Sequence, residues 1–428
     1  MIGIAEDYGG ADFLQVTWGQ RLNGASGADR HEGRRLDRTV TGAEHTASRG
    51  AVGVCKSEQK IPGPFIIANV KKLRVGIIFG GRSGEHEVSV TSAASIFKHI
   101  DREKYEPVAI LIQKDGTWTL PDQAPSAMSA SEVIQQARAA GIKPSGVSAT
   151  DPVLAALRLD AVFPVLHGPY GEDGTVQGLL ELSNIPYVGP GVLASAAGMD
   201  KAVMKVLFAA RGLPVCAWHG FVRAEWDRDR RAVLEQIDKL GLPVFVKPAN
   251  LGSSVGISKV KTRAELVPAI EMALDFDRKV VVEAAVPNAR EIECAVLGND
   301  DPQTSVPGEI LPSREFYDYE AKYLDADSKT VIPADLPAAT VATVQRLAVD
   351  AFRAIDAAGL GRVDFLLSRD NGEIYLNEIN TMPGFTTISM YSKMWEASGV
   401  AYGTLVDRLI QFGIERHREK QRLKTSVL

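Results

Sequence analysis

Arg362-Val363-Asp364-Phe365-Leu366-Leu367 and Glu373-Ile374-Tyr375-Leu376-Asn377-Glu378-Ile379 are joined through Asp370-Asn371-Gly372, a turn signal between two strand-like runs. The stretch predicts a hairpin. Alternate residues of a strand share a face, so Ile374, Leu376, Glu378 and Asn380 are expected on one side. The first two are apolar, which makes that face a buried one, and a carboxylate at its end then needs a partner. The turn register brings Asp364 within one residue of the position opposite Glu378. Asp364, Glu378 and Asn380 thus converge as oxygen donors. Two carboxylates and an amide suit Mg2+, an ion that commonly also takes substrate phosphate oxygens. The alternative is a carboxylate pair neutralised by Arg362.

Upstream, Phe245-Val246-Lys247-Pro248 ends an apolar strand on a lysine, and Gly252-Ser253-Ser254-Val255-Gly256 follows. Small residues in such a loop let backbone N–H groups cradle phosphate, although a Gly/Ser loop is often a plain turn. A lysine, a glycine-rich loop and a distant Asp/Glu/Asn hairpin together describe a nucleotide held between two small α+β lobes. Other nucleotide signatures are missing. No Gly is followed by Lys, so there is no Walker A loop. Gly80-Gly81-Arg82-Ser83-Gly84 lacks the spacing of a dinucleotide-binding turn. His86-Glu87 begins like a zinc-protease helix, but Val90 stands where the second histidine is required.

Further toward the N-terminus the pattern changes to strand–helix alternation. Strands are expected at 73–79, 107–112 and 160–166, with helices at 87–100 and 174–182. Ser89, Thr91 or Ser92 is the expected cap of the first helix. This is an open α/β domain over 71–195. A central lobe over 196–284 and a C-terminal lobe over 285–428 complete the expected division. The central lobe holds helices at 201–210 and 231–240 and strands at 216–222, 243–247, 257–260 and 280–283. The C-terminal lobe holds strands at 291–297 and 305–310 and helices at 337–358 and 402–419. The polar stretch 312–333 is too long for an ordinary connection and reads as a functional loop. Residues 1–70 are rich in Gly, Ala, Arg and Asp without periodicity and read as a weakly ordered extension.

Composition sets outer limits. The chain has 428 residues, 45% hydrophobic and 24% charged, with a formal net charge of −5. That balance gives no reason to expect a nucleic-acid or membrane partner. No stretch approaches the roughly 18 apolar residues of a membrane span, and no signal peptide is read at the N-terminus. Cys55, Cys216 and Cys294 are far apart and lack metal spacing, which suits reduced thiols in a cytoplasmic protein.

From Lys71 onward the chain resembles the D-alanine–D-alanine ligases of the ATP-grasp superfamily. The resemblance is carried by Phe79-Gly80-Gly81-Arg82-Ser83-Gly84-Glu85-His86-Glu87-Val88-Ser89, His167-Gly168-Pro169-Tyr170-Gly171-Glu172-Asp173-Gly174-Thr175, Met199-Asp200-Lys201 and Lys247 through Gly256. It continues through Tyr317-Asp318-Tyr319-Glu320-Ala321-Lys322-Tyr323, Gly361-Arg362-Val363-Asp364 and Asn377-Glu378-Ile379-Asn380-Thr381-Met382-Pro383-Gly384. The implied fold is an N-terminal α/β substrate domain followed by a two-lobed ATP-grasp module. ATP would lie between the lobes, with Lys201, Lys247 and Ser254 at its phosphates. Glu283, Ala284 and Val286 would meet adenine and Glu291 the ribose. Asp364, Glu378 and Asn380 would hold two Mg2+ ions, for which Mn2+ could substitute.

The implied reaction joins two D-alanines through a D-alanyl phosphate, supplying a peptidoglycan precursor. A carboxylate is a poor acyl donor, and phosphorylation by ATP supplies a leaving group. Glu87 would hold the first ammonium group with His167 nearby, and Lys322 and Ser389 the second carboxylate. Arg362 and the Gly384 N–H would stabilise the oxyanion. Tyr323, in a lid formed by 312–333, would reach Ser253 and Glu87 on closure. The run Tyr317-Asp318-Tyr319-Glu320-Ala321-Lys322-Tyr323 resembles that of the dipeptide-forming type, which implies an amine rather than a hydroxyl nucleophile. The alternatives are a D-alanine–D-lactate ligase or another ATP-grasp carboxylate–amine ligase. A non-catalytic nucleotide-binding relative would be expected to have lost a metal ligand or Arg362. Ligases of this kind are often homodimers, and no interface is legible here.

Overall fold

The computed structural model describes residues 71–121, 124–125, 157–311 and 329–424. The expected extension at 1–70, Cys55, and the lid run with Lys322 and Tyr323 lie outside the described residues.

The first sheet is built from β1 (Leu73–Gly80), β2 (Tyr105–Ile112), β3 (Trp118–Thr119) and β4 (Ala161–Pro164), in the order β3-β2-β1-β4. β1 runs parallel to both β2 and β4, so it is buried from both sides and needs an unbroken apolar run. Ile77, Ile78 and Phe79 supply it at 0–2% exposure. Helix α1 (His86–His99) covers this sheet. Ser89, Thr91 and Ser92 are interior to α1, not caps, and Glu85 stands at the N-cap without a side-chain cap bond. The Ser89 hydroxyl instead accepts from Gly80 N at 2.8 Å and donates to Val165 O, tying the helix to two strand ends.

Three helices lead into the second sheet: α2 (Thr175–Leu182), α3 (Val192–Met199) and α4 (Lys201–Ala210). α3 was not expected, because its small apolar residues carry no polar face to show a period. That sheet is antiparallel, ordered β5-β8-β6-β7 from β5 (Trp218–Val222), β6 (Val244–Pro248), β7 (Ser258–Val260) and β8 (Lys279–Ala284). Helices α5 (Arg223–Arg228), α6 (Arg230–Asp238) and α7 (Leu266–Phe276) accompany it. Trp226, at 0% exposure, anchors this core, and its indole N–H donates to Glu271 at 2.9 Å.

The third sheet runs β12-β11-β9-β13-β14, with β10 on β9. Its strands are β9 (Ala289–Gly298), β10 (Gln303–Thr304), β11 (Gly308–Leu311), β12 (Lys329–Val331), β13 (Gly359–Ser368) and β14 (Ile374–Asn380). β9 explains how the sheet organises the molecule. Its Ile292, Cys294 and Val296 face a core shared with α3, α4 and α8 (Ala338–Ala354). Its Ala295 and Leu297 face a core shared with the first sheet, α9 (Met390–Ala397) and α10 (Tyr402–Gln421). The N-terminal sheet is thereby welded to the C-terminal helices.

The hairpin forms as expected, with Asp364 paired to Glu378. The expected common face does not. The register slips between Asp364 and Phe365, so that Asn377 is an extra residue in β14. Leu376 and Ile379 both enter the apolar core, with Ile374 packed at its margin. Asn377, Glu378 and Asn380 line the cleft instead. A regular strand could not send Leu376 inward and Glu378 outward; the bulge does.

Candidate active site

A cleft of about 440 Å³ opens between the second and third sheets. Lys201, Lys247, Ser253, Ser254, Glu283, Ala284, Val286, Glu291, Arg362, Asp364, Glu378 and Asn380 all line it. Positions spread over nearly 180 residues of sequence, 201 to 380, therefore converge as anticipated.

Lys201 opens α4, whose N-cap Asp200 accepts from Ala202 N and Val203 N and pairs with Lys279. That fixed start aims the Lys201 ammonium at Leu251 O (2.8 Å) and Glu378 Oε2 (3.6 Å). Lys247, at the end of β6, donates to Glu283 Oε2 at 2.8 Å and Asn377 Oδ1 at 3.4 Å. Burial pushes the Lys247 ammonium down, but Glu283 and then Glu378 more than offset this and hold it charged. Glu283 shows the converse. Burial pushes its carboxyl up, while the Lys205 and Lys247 ammoniums pull it down to about 2.

The loop between β6 and β7 places Ser253 and Ser254 in left-handed backbone, at φ 51° and 59°. Non-glycine residues adopt this region at a cost, and such strain concentrates at functional sites. Ser253 is held by donating to Glu85. Glu87 pairs with Lys114; the expected reach of Tyr323 to Ser253 and Glu87 lies outside the described residues.

On β13, Arg362 donates to both Asp364 oxygens at 2.7 Å and reaches Glu293 at 3.1 Å. Asn380 Nδ2 donates to Asp364 Oδ2 at 2.8 Å. Among the described residues no three His, Cys, Asp or Glu cluster as a metal site. The donor set here is two carboxylates and an amide, which fits Mg2+ by chemistry, provided the Asn380 amide turns its oxygen inward. Arg362 currently provides the counter-charge that a cation would share, so the two readings of the pair are compatible.

A second group lies where the first sheet meets the Met382-Pro383-Gly384 turn. His167 is 4% exposed. Its Nδ1 is 3.0 Å from Met382 O and its Nε2 3.3 Å from the Ser92 hydroxyl. Burial pushes this imidazole down, so it stays neutral at neutral pH. Ser389 closes the turn, accepting from Thr386 N at 3.1 Å, and a Cβ on Gly384 would lie 3.2 Å from its hydroxyl.

Four residues gain places that the sequence reading did not give them. Glu85 anchors Ser253. Glu172 lines the cleft and accepts from Gly168 N at 2.7 Å. Lys205 is fully buried against Glu283. Asn377 is the bulge. Glu85, Glu172 and Asn377 sit inside the quoted motifs, so their position was a signal; Lys205 carried none.

Two α+β lobes closing on a lysine- and carboxylate-lined cleft are the arrangement of the ATP-grasp class. The family model described as D-ala D-ala ligase N-terminus matches residues 74–190, and that described as D-ala D-ala ligase C-terminus matches 207–411. The chain is 52% identical over 372 residues to a D-alanine–D-alanine ligase of Heliobacterium modesticaldum, covering 83% of this chain and 99% of the relative. It is 49% identical over 362 residues to that of Bacillus cytotoxicus, covering 83% and 99%. Among solved structures it is similar to the D-alanine–D-alanine ligase of Coxiella burnetii (39% identity, TM-score 0.68, 82% and 96% covered). It is also similar to the VanG D-Ala:D-Ser ligase of Enterococcus faecalis (36%, TM-score 0.68, 80% and 100% covered). The chain belongs to the D-alanine–D-alanine ligase family.

Proposed function

We propose that this chain joins two molecules of D-alanine into D-alanyl-D-alanine, converting ATP to ADP and phosphate, as a step toward peptidoglycan. The observation that carries this reading is the pairing of two opposed arrays across one cleft. Lys201 and Lys247 stand on one side, and Arg362, Asp364, Glu378 and Asn380 on the other.

Phosphoryl transfer to a carboxylate is mostly positioning and charge neutralisation. Lys201 and Lys247 bind the phosphates and Ser254 covers them, while Glu283, Ala284 and Val286 meet adenine and Glu291 the ribose. Asp364, Glu378 and Asn380 would hold two divalent ions, Mg2+ or Mn2+. When bound, these neutralise charge on the transferring phosphoryl oxygens. Glu87 binds the ammonium of the first D-alanine, whose carboxylate attacks the γ-phosphorus. The amine of the second D-alanine, held through Ser389 and Lys322, then attacks the acyl carbon. Arg362 and the Gly384 N–H stabilise the resulting oxyanion, and phosphate leaves. His167 holds the Gly384 turn in place through Met382. Tyr323 on the lid excludes water from the acyl phosphate. The reading includes a homodimer and a cytoplasmic setting. No helix among the described residues is long and apolar enough to cross a membrane.

The likeness to a D-Ala:D-Ser ligase favours one second reading, in which D-serine is the second substrate. Phosphate release from ATP, measured with D-alanine alone and with D-serine or D-lactate added, tests both. Release that ignores D-alanine rejects the ligase reading. Mixed product with D-serine at a rate matching D-alanine replaces the first reading with the second.

A further inference from the structure

Lys205 has no part in the reaction described above, yet its side chain is wholly enclosed. It lies one helical turn after Lys201 on α4, on the same face. Its ammonium is 3.2 Å from Glu283 Oε1, 3.4 Å from the Asn377 carbonyl and 3.9 Å from Cys216 Sγ. The other oxygen of Glu283 is taken by Lys247 at 2.8 Å, and Lys247 also reaches the Asn377 side chain at 3.4 Å. One buried carboxylate is thus shared by two ammonium groups, and both hold the bulge residue that precedes Glu378.

The sharing has a consequence for ligand binding. Lys247 can turn to a phosphate only by giving up Glu283. A buried carboxylate deprived of its last counter-ion is strongly destabilised. Lys205, enclosed on every side, cannot follow Lys247 and stays behind. Its 3.2 Å contact with Glu283 Oε1 leaves that carboxylate a counter-ion after Lys247 has moved.

We propose that Lys205 is a positioning residue for nucleotide binding: it keeps Glu283 neutralised and oriented while Lys247 transfers to the phosphates. The proposal rests on the reading of Lys247 as a phosphate contact. Without Lys205, Glu283 and Lys247 collapse into a closed pair and the phosphate grip is lost.

The probes are Mg-ADP and inorganic Mg-tripolyphosphate, the second reporting on the phosphate grip without adenine, both measured by calorimetry on the full chain. Lys205→Met is expected to weaken both by about tenfold or more, to raise the KM for ATP equally, and to leave the KM for D-alanine within about twofold. In the double variant Lys205→Met with Glu283→Gln, the carboxylate that pairs directly with Lys247 is gone, and tripolyphosphate affinity returns to within about threefold of wild type. A purely structural Lys205 gives the opposite, a double variant no better than the single one, and that result overturns the proposal. Should Lys205→Met fail to fold, the double variant decides alone, since it also removes the buried Glu283 carboxylate that Lys205 neutralises; tripolyphosphate binding weaker than wild type by about tenfold overturns the proposal. Lys247→Met separates the two levels. If it leaves tripolyphosphate binding unchanged, the phosphate reading of Lys247 is wrong; if it abolishes binding while Lys205→Met has no effect, only the role of Lys205 falls.

Discussion

Asp364 and Glu378 are direct partners across the β13–β14 ladder, and the register slips immediately beyond them. The slip is what makes the pair useful. It turns Glu378 and Asn380 toward the cleft while Leu376 stays in the apolar core.

Deleting Asn377 tests what the extra residue supplies. Leu376 and Glu378 would then be neighbours in a regular strand, on opposite faces, so Glu378 should stay at the cleft and opposite Asp364. What is lost is the carbonyl that Asn377 offers to Lys205 and the side-chain oxygen that it offers to Lys247. Urea unfolding, with Asn377→Ala as the control that keeps the carbonyl, should show the deletion less stable by about 1–3 kcal/mol. Equal stability of the two would mean that the Asn377 carbonyl is not needed to hold Lys205.

Glu378→Gln keeps shape and removes charge. Turnover should fall by about 100-fold or more, and the Mg2+ concentration for half-maximal rate should rise, while the melting temperature changes little. The Mg2+ titration is the decisive measurement. A variant with wild-type Mg2+ dependence would assign the ions to other ligands.

Much of this site was legible, and the reason is physical. Lys247, the loop after it and the Asp364/Glu378 hairpin each carry a local signature: a charge ending an apolar run, small residues in a turn, a turn between two strand patterns. Tertiary consequences were not legible. Lys205 sits in an ordinary helical pattern, and only packing shows that it is enclosed with Glu283. The bulge at Asn377 is one residue in length and leaves no trace in a period-two reading. Ser89 and Ser92 looked like caps because serine caps helices well, but their hydroxyls are spent on Val165, His167 and Phe385.

Glu172 predicts an unusual pH dependence. Burial first, and then the nearby Glu85 carboxylate, push its carboxyl from 4.5 up to about 8. The folded state therefore holds this proton more tightly than the unfolded chain. Its contribution to stability is fully present below about pH 4.5 and is lost as pH rises to about 8, on the order of a few kcal/mol in all. Chemical unfolding at several pH values, compared with Glu172→Gln, isolates the effect. The variant should lose this slope; an unchanged slope would place the titration elsewhere.

Tyr323 is assigned to the lid by resemblance alone, and a coupling measurement tests it. Tyr323→Phe keeps the ring and removes the hydroxyl that would reach Ser253. ATP hydrolysis uncoupled from dipeptide should rise, because water then reaches the acyl phosphate. The ratio of phosphate released to dipeptide formed reads this directly. A ratio of one, unchanged from wild type, would remove the hydroxyl from lid closure.

Residues 1–70 stand apart from the family match, which begins at residue 74. Every side chain assigned to the cleft lies beyond them, and β1, the first strand of the N-terminal sheet, starts at Leu73. β1 draws its partners from β2 and β4, both further along the chain. A chain beginning at Lys71 should consequently fold with an unchanged melting temperature and keep kcat and both KM values within about twofold. Loss of folding on truncation would show that the segment supplies contacts to the ligase body. Loss of activity with folding intact would place part of it at the cleft.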